Sequence, residues 1–178
     1  MLLARIAIQL LLALSCAAVT ASPALANDPY FATFGVERQN TSISDSTFDS
    51  FSLAARVGRW IKPGIGLQLG AIIPATDDDV GSVNFSLDGL YTAGLRLESP
   101  MQSRRGAAAF VAGGFATAQI EASSAFAQSS DFFSGFFVST GLLLGVTKKS
   151  QLNFELSYHA VDEQVTIPAF QVGYRFQF

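Results

Sequence analysis

The stretch Phe170-Gln171-Val172-Gly173-Tyr174-Arg175-Phe176-Gln177-Phe178 decides the fold. In an extended chain successive side chains point to opposite faces. Phe170, Val172, Tyr174, Phe176 and Phe178 therefore share one face, while Gln171, Gly173, Arg175 and Gln177 share the other. The stretch reads as a strand with one greasy side and one polar side. The same alternation recurs upstream. In 151–160, Leu152, Phe154, Leu156 and Tyr158 alternate with Asn153, Glu155, Ser157 and His159. Segment 83–97 sets Val83, Phe85, Leu87, Gly89, Tyr91, Ala93, Leu95 and Leu97 against Asn84, Ser86, Asp88, Leu90, Thr92, Gly94 and Arg96. Segment 50–58 sets Phe51, Leu53, Ala55 and Val57 against Ser50, Ser52, Ala54, Arg56 and Gly58.

Two-faced strands suit both a soluble sandwich and a barrel in a membrane, and three features separate the two. The strands are about 9–15 residues long, which suits a tilted membrane crossing. Their polar faces are rich in Gly, Ser and other small residues, as a cramped barrel interior requires. A single Cys rules out the disulfides that staple small extracellular sandwiches. A strand that faces lipid cannot leave its N–H and C=O groups unpaired, at several kcal/mol each, so the sheet must close. The expected fold class is all-β, an eight-stranded antiparallel up-and-down transmembrane β-barrel.

Composition narrows the function classes. Of 178 residues, 49 % are hydrophobic and only 14 % charged, against roughly 25 % charged in soluble domains. Sixteen Phe exclude a disordered chain. A net charge of −3 argues against a nucleic-acid partner, which calls for a basic face. One His and one Cys leave no cluster of soft ligands, so neither a metal nor a cofactor is expected.

Residues 1–26 read as a cleaved secretory signal peptide. Arg5 supplies the positive start, Ile6 to Leu14 is apolar apart from Gln9, and Ala24-Leu25-Ala26 has the form that signal peptidase accepts. The apolar run is shorter than the roughly 20 residues of a spanning helix. A lipoprotein acylated at Cys16 is the other reading, and Ala13-Leu14-Ser15-Cys16 fits that signal poorly. Cleavage between Ala26 and Asn27 leaves 27–178 as the barrel domain.

Eight strands are expected at about 30–39, 48–59, 64–73, 83–97, 107–119, 132–147, 151–161 and 167–178. An even number puts both ends on the periplasmic side. The outer loops then lie near 40–47, 74–82, 120–131 and 162–166. They and their rims hold Asp45, Asp49, Asp77, Asp78, Asp79, Glu121, Asp131, Asp162 and Glu163, with Arg38 nearby. The inner turns hold Arg59, Lys62, Arg104, Arg105, Lys148 and Lys149 against Glu98. In 107–119 the hydrophobic phase changes between Phe110 and Phe115, and Gly113-Gly114 marks a candidate bulge. In 132–147, Phe133 and Phe137 fall on the lumen face.

Two stretches carry a family likeness. The terminal Phe170 to Phe178 looks like the signal read by the barrel assembly machinery, with Val172, Tyr174, Phe176 and Phe178 as its alternate residues. Ala55-Arg56-Val57-Gly58-Arg59-Trp60-Ile61-Lys62-Pro63-Gly64-Ile65-Gly66-Leu67 looks like a strand, turn and strand of the same group. The chain thus resembles small bacterial outer-membrane barrels of the OmpA- and OmpX-like kind. That resemblance implies the outer membrane of a Gram-negative bacterium. The partners it implies are outer-membrane lipids and lipopolysaccharide, and, during biogenesis, the assembly machinery and periplasmic chaperones.

Glu37, Arg56, Asp88, Arg96, Glu155 and Arg175 fall at lumen-facing positions inside the expected strands. Buried charge is costly unless paired, so these six are expected to form a polar network that fills the barrel. A gated conduction path is the alternative role for them. His159 is the single histidine. Lipid A deacylases of this size place a Ser two residues after the His on the lipid side, whereas Val161 stands there and His159 has lumen parity. No catalytic residue is expected. Asp77-Asp78-Asp79 offers carboxylates to Ca²⁺, but three adjacent acids do not converge on one ion, and a solvated loop tip is the preferred reading. The expected function is a non-enzymatic structural or surface-interaction role in the cell envelope. A narrow porin-like channel for small solutes is the first alternative, and a lipid A-modifying enzyme the second.

Overall fold

The structure, a computed structural model, describes residues 29–43, 46–75, 78–80, 83–101, 106–123 and 128–178. The expected leader with Ala24 and Ala26, together with Asp45, Asp77, Arg104 and Arg105, lies outside the described residues. The strands are β1 (Tyr30–Ile43), β2 (Ser46–Lys62), β3 (Ile65–Pro74), β4 (Asp78–Val80), β5 (Val83–Glu98), β6 (Ala107–Ser123), β7 (Gln128–Gly145), β8 (Ser150–Asp162) and β9 (Val165–Gln177). Neighbours pair antiparallel. β1 also pairs with β9, and β3 with β5, so eight staves close into a barrel. The short β4 adds a rung to the outer end of β5, beyond the end of β3. Between β2 and β3 the chain reverses at Pro63-Gly64, where Gly64 has a φ of 76°. A Cβ there would sit 2.7 Å from the Glu98 carbonyl oxygen, so both conformation and space call for glycine.

The alternation read from the sequence decides what faces out. Leu69 and Phe115 are 60 % and 69 % exposed, and Leu53, Leu95, Phe136, Leu156, Phe170 and Phe176 are exposed with them on other staves. Soluble domains rarely expose a continuous apolar patch beyond a few hundred Å². Here the apolar surface girdles the cylinder, as lipid contact requires.

Three expectations are corrected. First, most of the expected outer loops are strand. β1 and β2 stay paired out to Ile43↔Ser46, and β6 and β7 out to Ser123↔Gln128. Cross-strand polar pairs hold these extensions on their outer surface: Ser42 with Thr47 (3.4 Å), Asn40 with Asp49 (2.9 Å), and Gln119 with Ser130 (3.2 Å). A crossing needs about 9–11 residues and β7 has 18, so the barrel wall projects well above the apolar belt. Second, β6 has no bulge at Gly113-Gly114. Its register with both neighbours runs unbroken there, because Phe110 belongs to the interior and Phe115 to the exterior. Third, a slip does lie in β5, besides those near the strand ends at Ile61 and Val161. Leu87 pairs with Ile120 and Gly89 with Gln119, which leaves Asp88 as the extra residue. The bulge shifts the phase by one, so Leu87, expected on the lipid face, is buried beside Leu90.

Candidate functional site

The site built by these strands is the filled barrel interior. It is assembled on a size rule: inward glycines stand where an inward ring needs the space. A Cβ on Gly58 would strike the Phe31 ring, one on Gly141 the Phe110 ring, and one on Gly66 would press on Trp60. Sequence alternation placed glycines on the lumen face, and the rings opposite show what they are for.

Halfway along the barrel, Arg56 on β2 lies 3.3 Å from Glu37 on β1 and 3.6 Å from Glu155 on β8. All three are buried. Each carboxylate takes a further amide donor on its own strand: Gln39 donates to Glu37 at 2.9 Å, and Asn153 to Glu155 at 3.4 Å. The Ser52 hydroxyl in turn donates to Gln39 at 3.1 Å. One guanidinium thus ties β2 to staves on both sides of the seam where the chain's first and last strands meet.

Toward the periplasmic end lies a second cluster. Arg175 grips Glu98 with both terminal nitrogens, Nη2 to Oε1 at 2.8 Å and Nη1 to Oε2, and its Nε donates to Gln151. Arg96 donates to the same carboxylate at 3.2 Å. Aromatic rings fill the remaining space. Arg96 lies 3.5 Å from the Phe110 centroid and 5.6 Å from that of Phe31, while Arg175 faces Phe31 and Trp60. Cation–π contact with desolvated arginines adds attraction where water is excluded. Toward the outer end the lumen turns apolar, with Ile72, Leu87, Leu90, Ile120, Phe137, Val161 and Ile167 packed in one cluster.

Of the six expected network residues, the structure brings Glu37, Arg56 and Glu155 together, and Arg96 with Arg175. Asp88 is displaced from the regular lumen-facing position expected for it: it occupies the β5 bulge, half-buried, while a carboxylate not expected in the network, Glu98, pairs with Arg96 and Arg175. Glu98, expected in an inner turn, has a side chain only 9 % exposed. The signal was present, since Glu98 lies two residues from Arg96 on the same face of the same strand. His159 is buried against Phe137, with ring centroids 6.0 Å apart, and neither ring nitrogen has a hydrogen-bond partner among the described residues. Val161 is buried on the same face. Of the terminal residues, Val172 and Phe176 are exposed on the exterior. Phe178 exchanges both backbone hydrogen bonds with Tyr30, and the two rings stack. Among the described residues no group of three His, Cys, Asp or Glu gathers as metal ligands.

The closed wall and the lipid-facing belt can be set beside solved structures. Neisserial surface protein A aligns with a TM-score of 0.72 and 16 % identity over 84 % of this chain and 97 % of its own. Ail, the attachment invasion locus protein of Yersinia pestis, aligns at 0.66 and 9 %, over 85 % and 100 %. OprG, an outer membrane protein of Pseudomonas aeruginosa, aligns at 0.63 and 10 %, over 85 % and 97 %. The fold is that of a small outer-membrane barrel. No family model and no curated protein matches the sequence. With its apolar girdle, the chain is an outer-membrane protein of the Gram-negative type.

Proposed function

We propose that this barrel is non-enzymatic, closed to solutes, and serves the cell envelope structurally or through what its outer rim presents. The observation that carries the reading is the filled lumen. A solute entering from the periplasm meets Arg96, Glu98 and Arg175 among three rings, then the Arg56 pairs, then an apolar plug. Eight strands enclose an interior just wide enough for side chains. Moving Arg56 aside would leave two buried carboxylates without their cation, which is strongly unfavourable. Against an enzymatic role stands the isolation of His159, with Phe137 at its side and Val161 two residues on.

The outer rim sets what the surface can meet. Asp131, Asp162 and Glu163 are exposed there, and Arg38, the one cation at that end among the described residues, is already paired with Asp49. Ail, of the same fold, has been solved with the heparin analogue sucrose octasulfate. A polyanion of that kind is repelled by an acidic rim, so a partner here is cationic or neutral.

Planar-bilayer recording of the refolded full chain tests the reading. The expected record shows no steady open level, and the lipid A of cells that overproduce the barrel keeps its mass. A steady ohmic current would establish the narrow channel in its place.

A further inference from the structure

Arg59 is an anomaly on the exterior. Among the charged side chains of the described strands, it alone has apolar lipid-facing residues on both sides along its own strand, Val57 and Ile61. Ile61 lies nearer the periplasm and is 55 % exposed. Its cross-strand partners are Tyr30 on β1 and Leu67 on β3, both exposed on the exterior. Among the described residues it has no carboxylate partner, and its one recorded contact is the Tyr30 ring, whose centroid lies 5.6 Å from the guanidinium carbon. Tyr30 in turn stacks on Phe178.

A cation facing lipid is costly at the midplane and tolerated near the interface, where a long side chain bends toward the headgroups. Tyr30 sits where interfacial aromatics sit, so Arg59 lies at headgroup depth. Apolar Ile61, exposed at the bulge that ends the β2–β3 pairing, lies beyond it toward the periplasm, so apolar surface reaches past Arg59 and places its counter-charge in lipid rather than in the aqueous periplasm. The exposed charged side chains around it have one sign. Lys62 and Lys148 are exposed at the same end, and Glu98, the acid of this end, is turned inward onto Arg96 and Arg175. Among the described residues no exposed Asp or Glu side chain opposes them there.

We propose that Arg59, held against Tyr30 and supported by Lys62, forms a site for the phosphate of an anionic inner-leaflet phospholipid of the phosphatidylglycerol type. The planar guanidinium fork matches two phosphate oxygens. A headgroup without an ammonium of its own adds no charge that would oppose Lys62.

The test is native mass spectrometry of the full folded chain in detergent with equimolar phosphatidylglycerol and phosphatidylcholine. Folding of each variant is checked by heat-modifiable gel migration. The wild-type chain is expected to retain phosphatidylglycerol in preference to phosphatidylcholine. Arg59→Gln lowers that retention about five-fold, the effect of one cation near a lipid surface. Lys62→Gln, at the exposed end of β2, lowers it less and keeps the test decisive if Arg59→Gln does not fold. Arg38→Gln, at the opposite rim, leaves it unchanged. Equal retention by wild type and Arg59→Gln, no effect of Lys62→Gln, or a loss of the same size for Arg38→Gln would each overturn the site.

Discussion

Arg56→Ala is expected to destabilise the barrel by about 3–5 kcal/mol, the cost of leaving a buried charge without its partner. The urea midpoint in lipid vesicles measures it. The size follows from what remains. Glu37 and Glu155 are both buried, and each keeps a single neutral amide donor once the guanidinium is gone. Two carboxylates then face one another in a buried interior, where charges interact more strongly than in bulk water. Arg56→Lys keeps a positive charge but loses the planar fork that reaches two staves, so it falls between wild type and Arg56→Ala. Adding Glu37→Gln and Glu155→Gln to Arg56→Ala recovers much of the loss, because the uncompensated charges go with it. A midpoint unchanged by Arg56→Ala would show that these groups are solvated and unpaired.

Glu98→Ala is expected to cost at least as much, because one carboxylate serves two arginines. Arg175 binds it with both terminal nitrogens and Arg96 shares an oxygen. Without it, two cations lie together among Phe31, Trp60 and Phe110 with only ring faces and the neutral Gln151 carbonyl to offset their repulsion. Cation–π contacts of about 2 kcal/mol when desolvated do not replace a bidentate ion pair. Arg96→Ala removes one of the two cations and leaves the bidentate pair intact, so its loss is smaller. Urea titration of the two variants gives the order: Glu98→Ala largest, Arg96→Ala well below it. An Arg96→Ala barrel as unstable as Glu98→Ala would mean that the ring stacking, and not the shared carboxylate, holds this end.

Where lipid touches one face of a strand, the alternation of greasy and polar residues is forced, and the sequence is legible. β8 from Gln151 to Ala160 and β9 follow it closely, and their buried positions Asn153, Glu155, Gln171 and Arg175 are all readable from parity. Above the membrane that constraint lapses. The outer ends of β1, β2, β6 and β7 meet water on the outside, so Asn40, Thr47, Glu121 and Ser130 read as loop although they are paired strand. Parity also fails across an inserted residue. Nothing near Asp88 announces the bulge, since Gly89 sits comfortably on either face of a regular strand. The conspicuous Gly113-Gly114 pair instead answers to close packing: a Cβ on Gly114 would strike the Ala93 carbonyl. Glu98 was misjudged for a related reason. At a strand end both solvent and lumen are within reach, and the choice depends on Arg175, which is distant in sequence.

The central claim is that one face of every stave meets acyl chains while the other meets a filled interior. Single-cysteine substitution along β8, with a fluorescent label and a quencher confined to the lipid acyl chains, tests it most directly. Leu152→Cys, Leu156→Cys and Tyr158→Cys are expected to be strongly quenched, and Asn153→Cys and Ser157→Cys to be spared and slow to react with a water-soluble thiol reagent. Quenching that does not alternate along the strand, or rapid aqueous labelling of position 153 or 157 in the folded barrel, would contradict a closed and plugged cylinder.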